Sequence, residues 1–198
     1  MSAPCGRHFY EGLCGVKNRL ADIIVQKSYK EGEFLLTSGR KSDYYFDCKP
    51  TALHPEGSYL IGSIFCDMLK DVDVQGVGGM TLGADPLVSA VTVMSWLNKR
   101  PLPGFIVRKQ SKGHGTNQFL EGLGNFQPGD KVAMLEDVVT TGGTLLTACE
   151  RVRDAGLDIV AVLAVLDRQE GGRENLAAKG YTLSSIFTRA DLVAAMRR

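Results

Sequence analysis

Val132-Ala133-Met134-Leu135-Glu136-Asp137-Val138-Val139-Thr140-Thr141-Gly142-Gly143-Thr144 is the stretch on which the fold turns. Its apolar start predicts a buried strand over Lys131–Glu136 that ends in two adjacent carboxylates. From Leu145 the pattern becomes helical, running to Asp154 and stopping at Gly156. Between strand and helix lies a turn of hydroxyls and glycines. Open backbone N–H groups at such a turn, with a helix dipole behind them, favour a phosphate. Carboxylates repel phosphate, so they should face sugar hydroxyls or a bound metal ion on the same ligand. A phosphoribosyl group meets both demands. A capped helix start remains the plainer reading of the same residues.

Outward from this stretch the chain alternates between the two periodicities. Downstream, Ile159–Leu166 reads as a buried strand and Thr182–Phe187 as the strand that closes the sheet, with Thr188 as cap of a final helix. Upstream, Leu13, Val16, Leu20, Ile23 and Ile24 mark a helix from about Phe9 to Lys27. Short strands at Phe34–Leu36 and Tyr44–Cys48 follow, joined by a polar turn. Pro55 opens a helix to Lys70, since proline suits a first helical turn. A strand over Val72–Val77, a helix over Asp85–Asn98 and a strand over Phe105–Lys109 complete the order. Alternation of this kind predicts an α/β fold with a mostly parallel central sheet flanked by helices. The first fifty or so residues break the alternation and are expected to form a small N-terminal hood. Trp96 and its Met94–Leu97 neighbourhood are assigned to the core, and His8 and His54 to surface or helix-capping roles.

With 198 residues the expectation is a single domain over 1–198, its first fifty residues contributing the hood. A hydrophobic fraction of 44% is ordinary globular composition, and a net charge of +1 gives no electrostatic reason for nucleic-acid or membrane binding. Five cysteines without a Cys-x-x-Cys pair argue for free thiols, against a disulfide framework and against a zinc site. No apolar segment has the length of a signal peptide or a membrane span, so the cytoplasm is expected.

Ligands of open α/β sheets sit at the carboxyl ends of strands. Four polar segments fall at such ends: Gly78 to Asp85, Arg108 to His114, Glu136 to Thr144, and Asp167 to Gly172. No Gly-x-x-x-x-Gly-Lys-[Ser/Thr] loop is present, and Gly76-x-Gly78 lacks the third glycine of a dinucleotide fingerprint. Arg108-Lys109-Gln110-Ser111-Lys112-Gly113-His114-Gly115 places three fixed cations and a histidine within seven residues. A solvated basic turn would look similar, but a histidine between two glycines has little packing to do. Such a cationic loop suits a departing pyrophosphate, whose charge grows in the transition state.

These residues match a family. Glu136-Asp137-Val138-Val139-Thr140-Thr141-Gly142-Gly143-Thr144 resembles the motif with which type I phosphoribosyltransferases bind 5-phosphoribosyl 1-diphosphate (PRPP). Arg108-Lys109-x-x-Lys112-x-His114-Gly115 resembles the catalytic loop of the orotate branch. Ser38-Gly39-Arg40-Lys41-Ser42-Asp43-Tyr44-Tyr45 and Asp167-Arg168-Gln169-Glu170-Gly171-Gly172 are similar to that branch as well. The resemblance implies the type I phosphoribosyltransferase fold and transfer of 5-phosphoribosyl from PRPP to orotate with Mg²⁺. It gives orotidine 5′-monophosphate and pyrophosphate, in pyrimidine (UMP) biosynthesis. It implies that Glu136 and Asp137 hold the ribose hydroxyls and that Thr140, Thr141, Gly142, Gly143 and Thr144 bind the 5′-phosphate, with Val138 and Val139 inside the same motif. Lys109 would contact PRPP within its own subunit. Arg108, Lys112 and His114 would lie on a loop shared between the subunits of a homodimer. Arg168 would pair with the orotate carboxylate, Thr140 would touch the base, and Tyr45-Phe46 would stand beside it. Mg²⁺ would be held mainly through PRPP, without a dedicated protein site.

The chain departs from the pattern twice. Thr37 stands where many members have lysine, and Thr81-Leu82 where some have Tyr-Lys. Pyrophosphate contacts would then come from backbone N–H groups of Gly79 to Leu82, or from Arg40 and Lys41. For Arg168, an internal pair with Asp167 or Glu170 competes with orotate. The alternatives to the orotate enzyme are a PRPP-binding regulator and a purine-type phosphoribosyltransferase; a purine offers Arg168 no carboxylate.

Overall fold

The computed structural model of the protein describes residues 12–35, 41–110 and 119–197. Helix α1 (Gly12–Lys27) leads into β1 (Tyr29–Leu35) and β2 (Lys41–Phe46), then α2 (Lys49–Ala52) and α3 (Pro55–Met68). Next come β3 (Gly76–Met80), α4 (Asp85–Leu97), β4 (Gly104–Val107) and β5 (Leu120–Glu121). The second half runs β6 (Lys131–Val139), α5 (Gly143–Asp154), β7 (Asp158–Asp167), α6 (Gly172–Ala177), β8 (Leu183–Thr188) and α7 (Arg189–Ala195).

The expected central strand, β6, pairs in parallel with β3 on one side and β7 on the other. The sheet order is β5-β4-β3-β6-β7-β8, and short β5 alone runs antiparallel, against β4. Period-two alternation explains the position of β6. Val132 and Met134 belong to the same buried cluster as Leu145, Ala148 and Val152 of α5, while Ala133 and Leu135 belong to the cluster that holds Leu87 and Val91 of α4 and, further out, Leu60 and Ile64 of α3. Helices cover both faces, which is why this strand reads as an unbroken apolar run. Each fully buried leucine here contributes roughly 1.5–3 kcal/mol relative to an exposed one. The β1–β2 ribbon is antiparallel and separate from this sheet, as a hood outside the alternating pattern requires.

Helix ends follow the expected chemistry. Pro55 sits in the first turn of α3, and His54 is its N-cap, with Nδ1 accepting from the Gly57 N–H at 3.4 Å. Thr188 caps α7 in a reciprocal box with Asp191. Other expectations need correction. The strand assigned to Val72–Val77 lies instead at Gly76–Met80; Val74 is buried in the approach to it. Three of its five residues are glycine, so its position is set by pairing with β4 and β6 rather than by propensity. β6 does not end at Glu136 but runs through the acidic pair to Val139, because β7 pairs with it that far. Trp96 is not in the core: it is 72% exposed, and Val93 and Leu97 on the same helix are also exposed. The core face of α4 is Leu87, Val88, Val91 and Ser95.

Candidate active site

Strand order assembles the site. The four polar segments found along the sequence follow β4, β3, β6 and β7, four adjacent parallel strands, so their carboxyl ends form one row. From β3 the chain crosses through α4 to β4; from β6 it crosses through α5 to β7, in the opposite direction along the sheet. The crevice between β3 and β6 is therefore a topological switch point, where an open α/β sheet has room for a ligand. The turn after β3 and the acidic pair of β6 face each other across it. A Cβ on Gly83 would stand 2.6 Å from the Asp137 carboxyl carbon, so no residue with a side chain fits this approach undisturbed.

Glu136 is buried, with 7% of its surface exposed, whereas Asp137 is half-buried. The Asp137 N–H donates to Glu136 Oε1 at 3.1 Å and the Val138 N–H to Asp137 Oδ1 at 2.8 Å. Burial pushes the Glu136 carboxyl well above the usual carboxylate range, and the neighbouring Asp137 charge pushes it further. The Lys109 ammonium acts the other way, which puts that lysine within electrostatic reach of the pair.

Past Val139 the chain turns into α5 without a side-chain cap. The N-cap position is Gly142, at φ +80°, a left-handed conformation that glycine adopts without steric cost. This bears on the plainer reading: the helix starts there, but its N-cap residue supplies no side-chain hydrogen bond to its N–H groups. A cavity of about 100 Å³ opens at this end, lined by Glu136 and by the chain from Val138 to Leu145. Thr141 and Thr144 are exposed and Thr140 is half-buried. Asn175 of α6 donates to the Thr141 carbonyl at 2.9 Å, and the Arg168 N–H donates to the Val139 carbonyl at 2.9 Å. The turn is thus tied to the segment after β7.

In that segment Arg168 is 7% exposed. Of the two competing internal partners, Glu170 is the one realised, with Oε1 2.9 Å from Arg168 Nε. Asp167 is occupied otherwise: it accepts from the Gln169 N–H at 2.8 Å and from Arg173 Nε at 3.3 Å. The Arg168 guanidinium lies 4.5 Å from the ring centre of Tyr44, and Arg189 lies 4.4 Å from the same ring. Tyr44, stacked in turn on Tyr29, connects β2 to this end of the site. Its phenol is pushed up by burial, against the opposing pull of Arg168. Within the segment Ser38–Tyr45 the sequence gives Tyr44 no role of its own, although alternation along β2 marks it: Tyr44 and Phe46 are buried and Tyr45 is 42% exposed. Tyr45 and Phe46 consequently do not share a face.

At the other end of the row, Arg108 is half-buried and pairs with Glu121 at 2.9 Å, and Lys109 is exposed. Lys112, His114, Thr37, Arg40 and His8 lie outside the described residues, as do the side chains of Lys41, Ser42 and Asp43. Of the backbone donors expected near the turn after β3, the Thr81 N–H is already engaged by the Val107 carbonyl at 2.9 Å.

No protein-family profile matches the chain. Curated relatives do. Orotate phosphoribosyltransferase of Nostoc sp. is 45% identical over 177 residues, 89% of this chain and 85% of that protein. That of Aquifex aeolicus is 44% identical over 180 residues, 89% of this chain and 97% of its own. Among solved structures, Mycobacterium tuberculosis orotate phosphoribosyltransferase in complex with PRPP superposes with a TM-score of 0.75 at 34% identity, covering 90% of this chain and 99% of that one. Adenine phosphoribosyl transferase from Trypanosoma brucei, at 20% identity and a TM-score of 0.62, shares the fold alone. The α/β sheet flanked by helices is the type I phosphoribosyltransferase fold, and the chain belongs to the orotate phosphoribosyltransferase family.

Proposed function

We propose that the chain transfers the 5-phosphoribosyl group of PRPP to orotate, releasing pyrophosphate and forming orotidine 5′-monophosphate. The observation that carries the residue-level reading is the row of four strand ends, with a cationic segment at one end, Arg168 at the other, and the acidic pair and uncapped helix between. The 5′-phosphate sits on the turn from Thr140 to Thr144, against the N-terminus of α5. Glu136 and Asp137 take the ribose hydroxyls. Arg168 takes the orotate carboxylate, which then competes with Glu170 for the guanidinium. Thr140 reaches the base from the turn.

As the bond from the anomeric carbon to pyrophosphate breaks, positive charge develops on the sugar and negative charge on the leaving group. Lys109, Arg108, Lys112 and His114 offset the latter, most effectively where water is excluded. The bond from a ring nitrogen of orotate forms on the opposite side, and that nitrogen is acidic enough to need no protein base. Mg²⁺, a hard cation held mainly through the oxygens of PRPP, would neutralise pyrophosphate charge when bound.

Residues 1–198 act in this reading as one phosphoribosyltransferase domain, with the first fifty as its hood. Metabolite substrates and the free thiols of Cys48, Cys66 and Cys149 support a cytoplasmic setting. No described helix is long and apolar enough to cross a membrane. A homodimer with shared active sites is supported by the exposed apolar face around Trp96. The direct test mixes protein, Mg²⁺, PRPP and orotate and follows loss of the orotate ultraviolet band. Turnover with hypoxanthine or adenine but not orotate would overturn the reading.

A further inference from the structure

Arg151, in the third turn of α5, reaches away from its own helix to the stem of the cationic loop. One terminal nitrogen donates to the Arg108 carbonyl at 2.5 Å and the other to the Lys109 carbonyl at 3.3 Å. The guanidinium also lies 4.2 Å from the ring centre of Phe119, where the chain returns from the loop. The two sides of the stem meet there, with the Arg108 N–H donating to the Phe119 carbonyl at 2.7 Å.

The choice of carbonyls matters. The Arg108 oxygen belongs to the peptide plane before Lys109, and the Lys109 oxygen to the plane after it. Peptide planes are rigid, so orienting both fixes φ and ψ at the Cα between them and hence the direction of its Cβ. The guanidinium is itself a rigid planar fork. We propose that Arg151 is the positioning residue for Lys109: it aims the lysine side chain at the crevice by gripping the peptide planes on either side of it. The other end of α5 is the turn assigned to the 5′-phosphate, so the same helix registers the lysine to the phosphate. The Lys109 charge is felt at Glu136, as this aim requires. A role limited to bracing the β4–β5 connection would need only the contact with Phe119.

The inference rests on the proposed role of Lys109, and the test separates the two. Steady-state kinetics are measured for the wild type, Arg151→Ala, Lys109→Ala and the double variant, with melting temperatures alongside. Arg151→Ala is expected to lower kcat by about 10- to 100-fold, the cost of a misplaced group. The KM for orotate, held elsewhere, should stay within about threefold. In the Lys109→Ala background, Arg151→Ala should cost less than about twofold, because no lysine is left to aim. Arg151→Lys keeps the charge but cannot grip both carbonyls, and should recover only a small part of kcat. If Arg151→Ala does not fold, Arg151→Lys and Arg151→Gln take its place in the same cycle. Full multiplicativity of the two losses would overturn this inference while leaving the role of Lys109 intact. A silent Lys109→Ala would overturn that role, and the inference with it.

Discussion

Glu136 is a carboxylate whose ionisation the fold makes costly. It is buried beside a second carboxylate, so its acidity is weakened first by lost hydration and then by Asp137. A group whose folded pKa lies above its unfolded value stabilises the protein fully only below the unfolded value, about 4.3 for glutamate. That contribution is lost as pH rises through the folded value. Glu136→Gln should therefore melt with the wild type near pH 4 and above it at pH 8, by about 2–4 °C for each kcal/mol relieved. Thermal scans of the ligand-free protein across this range check the sign; equal melting temperatures at both ends would contradict it. Stability gained with loss of PRPP binding is the pattern expected where a site keeps an unfavourable charge for its ligand. Arg168 is subject to a different test. Arg168→Ala should raise the KM for orotate far more than that for PRPP, and equal effects would argue against the pairing with the orotate carboxylate. Tyr44→Leu should shift the two constants in the same unequal way, more weakly, since it removes the ring against which that guanidinium lies.

Among the elements, those whose own residues determine them were readable from the sequence. β6 and β7 are apolar runs bounded by turns, α3 carries its proline and His54 cap, and α7 carries Thr188. Elements defined by partners were not: β3 is a strand because β4 and β6 flank it, and β5 is two residues laid on β4. The same division runs through the site. The four segments could be picked out because each follows a strand, and their common row could not, because it depends on strand order. The contact of Gly83 with Asp137 joins segments that only the folded sheet brings together. α5 gives the test at this scale. Gly142→Ala forces a Cβ into a left-handed N-cap, at a cost of about 1–2 kcal/mol, and brings it 3.3 Å from the Gly172 carbonyl. It should lower stability by that amount and weaken PRPP binding, with the KM for orotate little changed. Isothermal titration with PRPP and a denaturant melt measure the two parts separately.

For the whole molecule, the misplaced Trp96 is informative. An apolar helix residue reads as core because sequence records hydrophobicity and not which protein covers it. α4 is apolar on two sides: one packs against the sheet, and the other presents Val93, Trp96 and Leu97 to the outside. Leu53, Tyr59 and Leu82 are exposed as well, and a groove of about 910 Å³ lined by residues of α2, α3 and α4 includes Leu53, Tyr59, Leu82, Val93 and Leu97. Apolar surface of this kind marks an interaction site, and the proposed two-fold homodimer would cover it with the same face of a second copy. Leu82 belongs to the turn beside Asp137, so such a dimer brings the second copy to the edge of the proposed active site. Trp96→Asp should shift sedimentation toward the monomer and lower turnover together. A monomer with full turnover would refute shared sites. The stricter test uses two inactive variants. If each site takes Asp137 from one subunit and Lys112 from the other, a mixed dimer of Asp137→Asn and Lys112→Ala subunits has one intact site and one doubly defective site. Random mixing makes half the dimers mixed, so activity should return to about a quarter of wild type. If each subunit instead supplies both residues to its own site, every site keeps one defect, and no mixing ratio restores turnover.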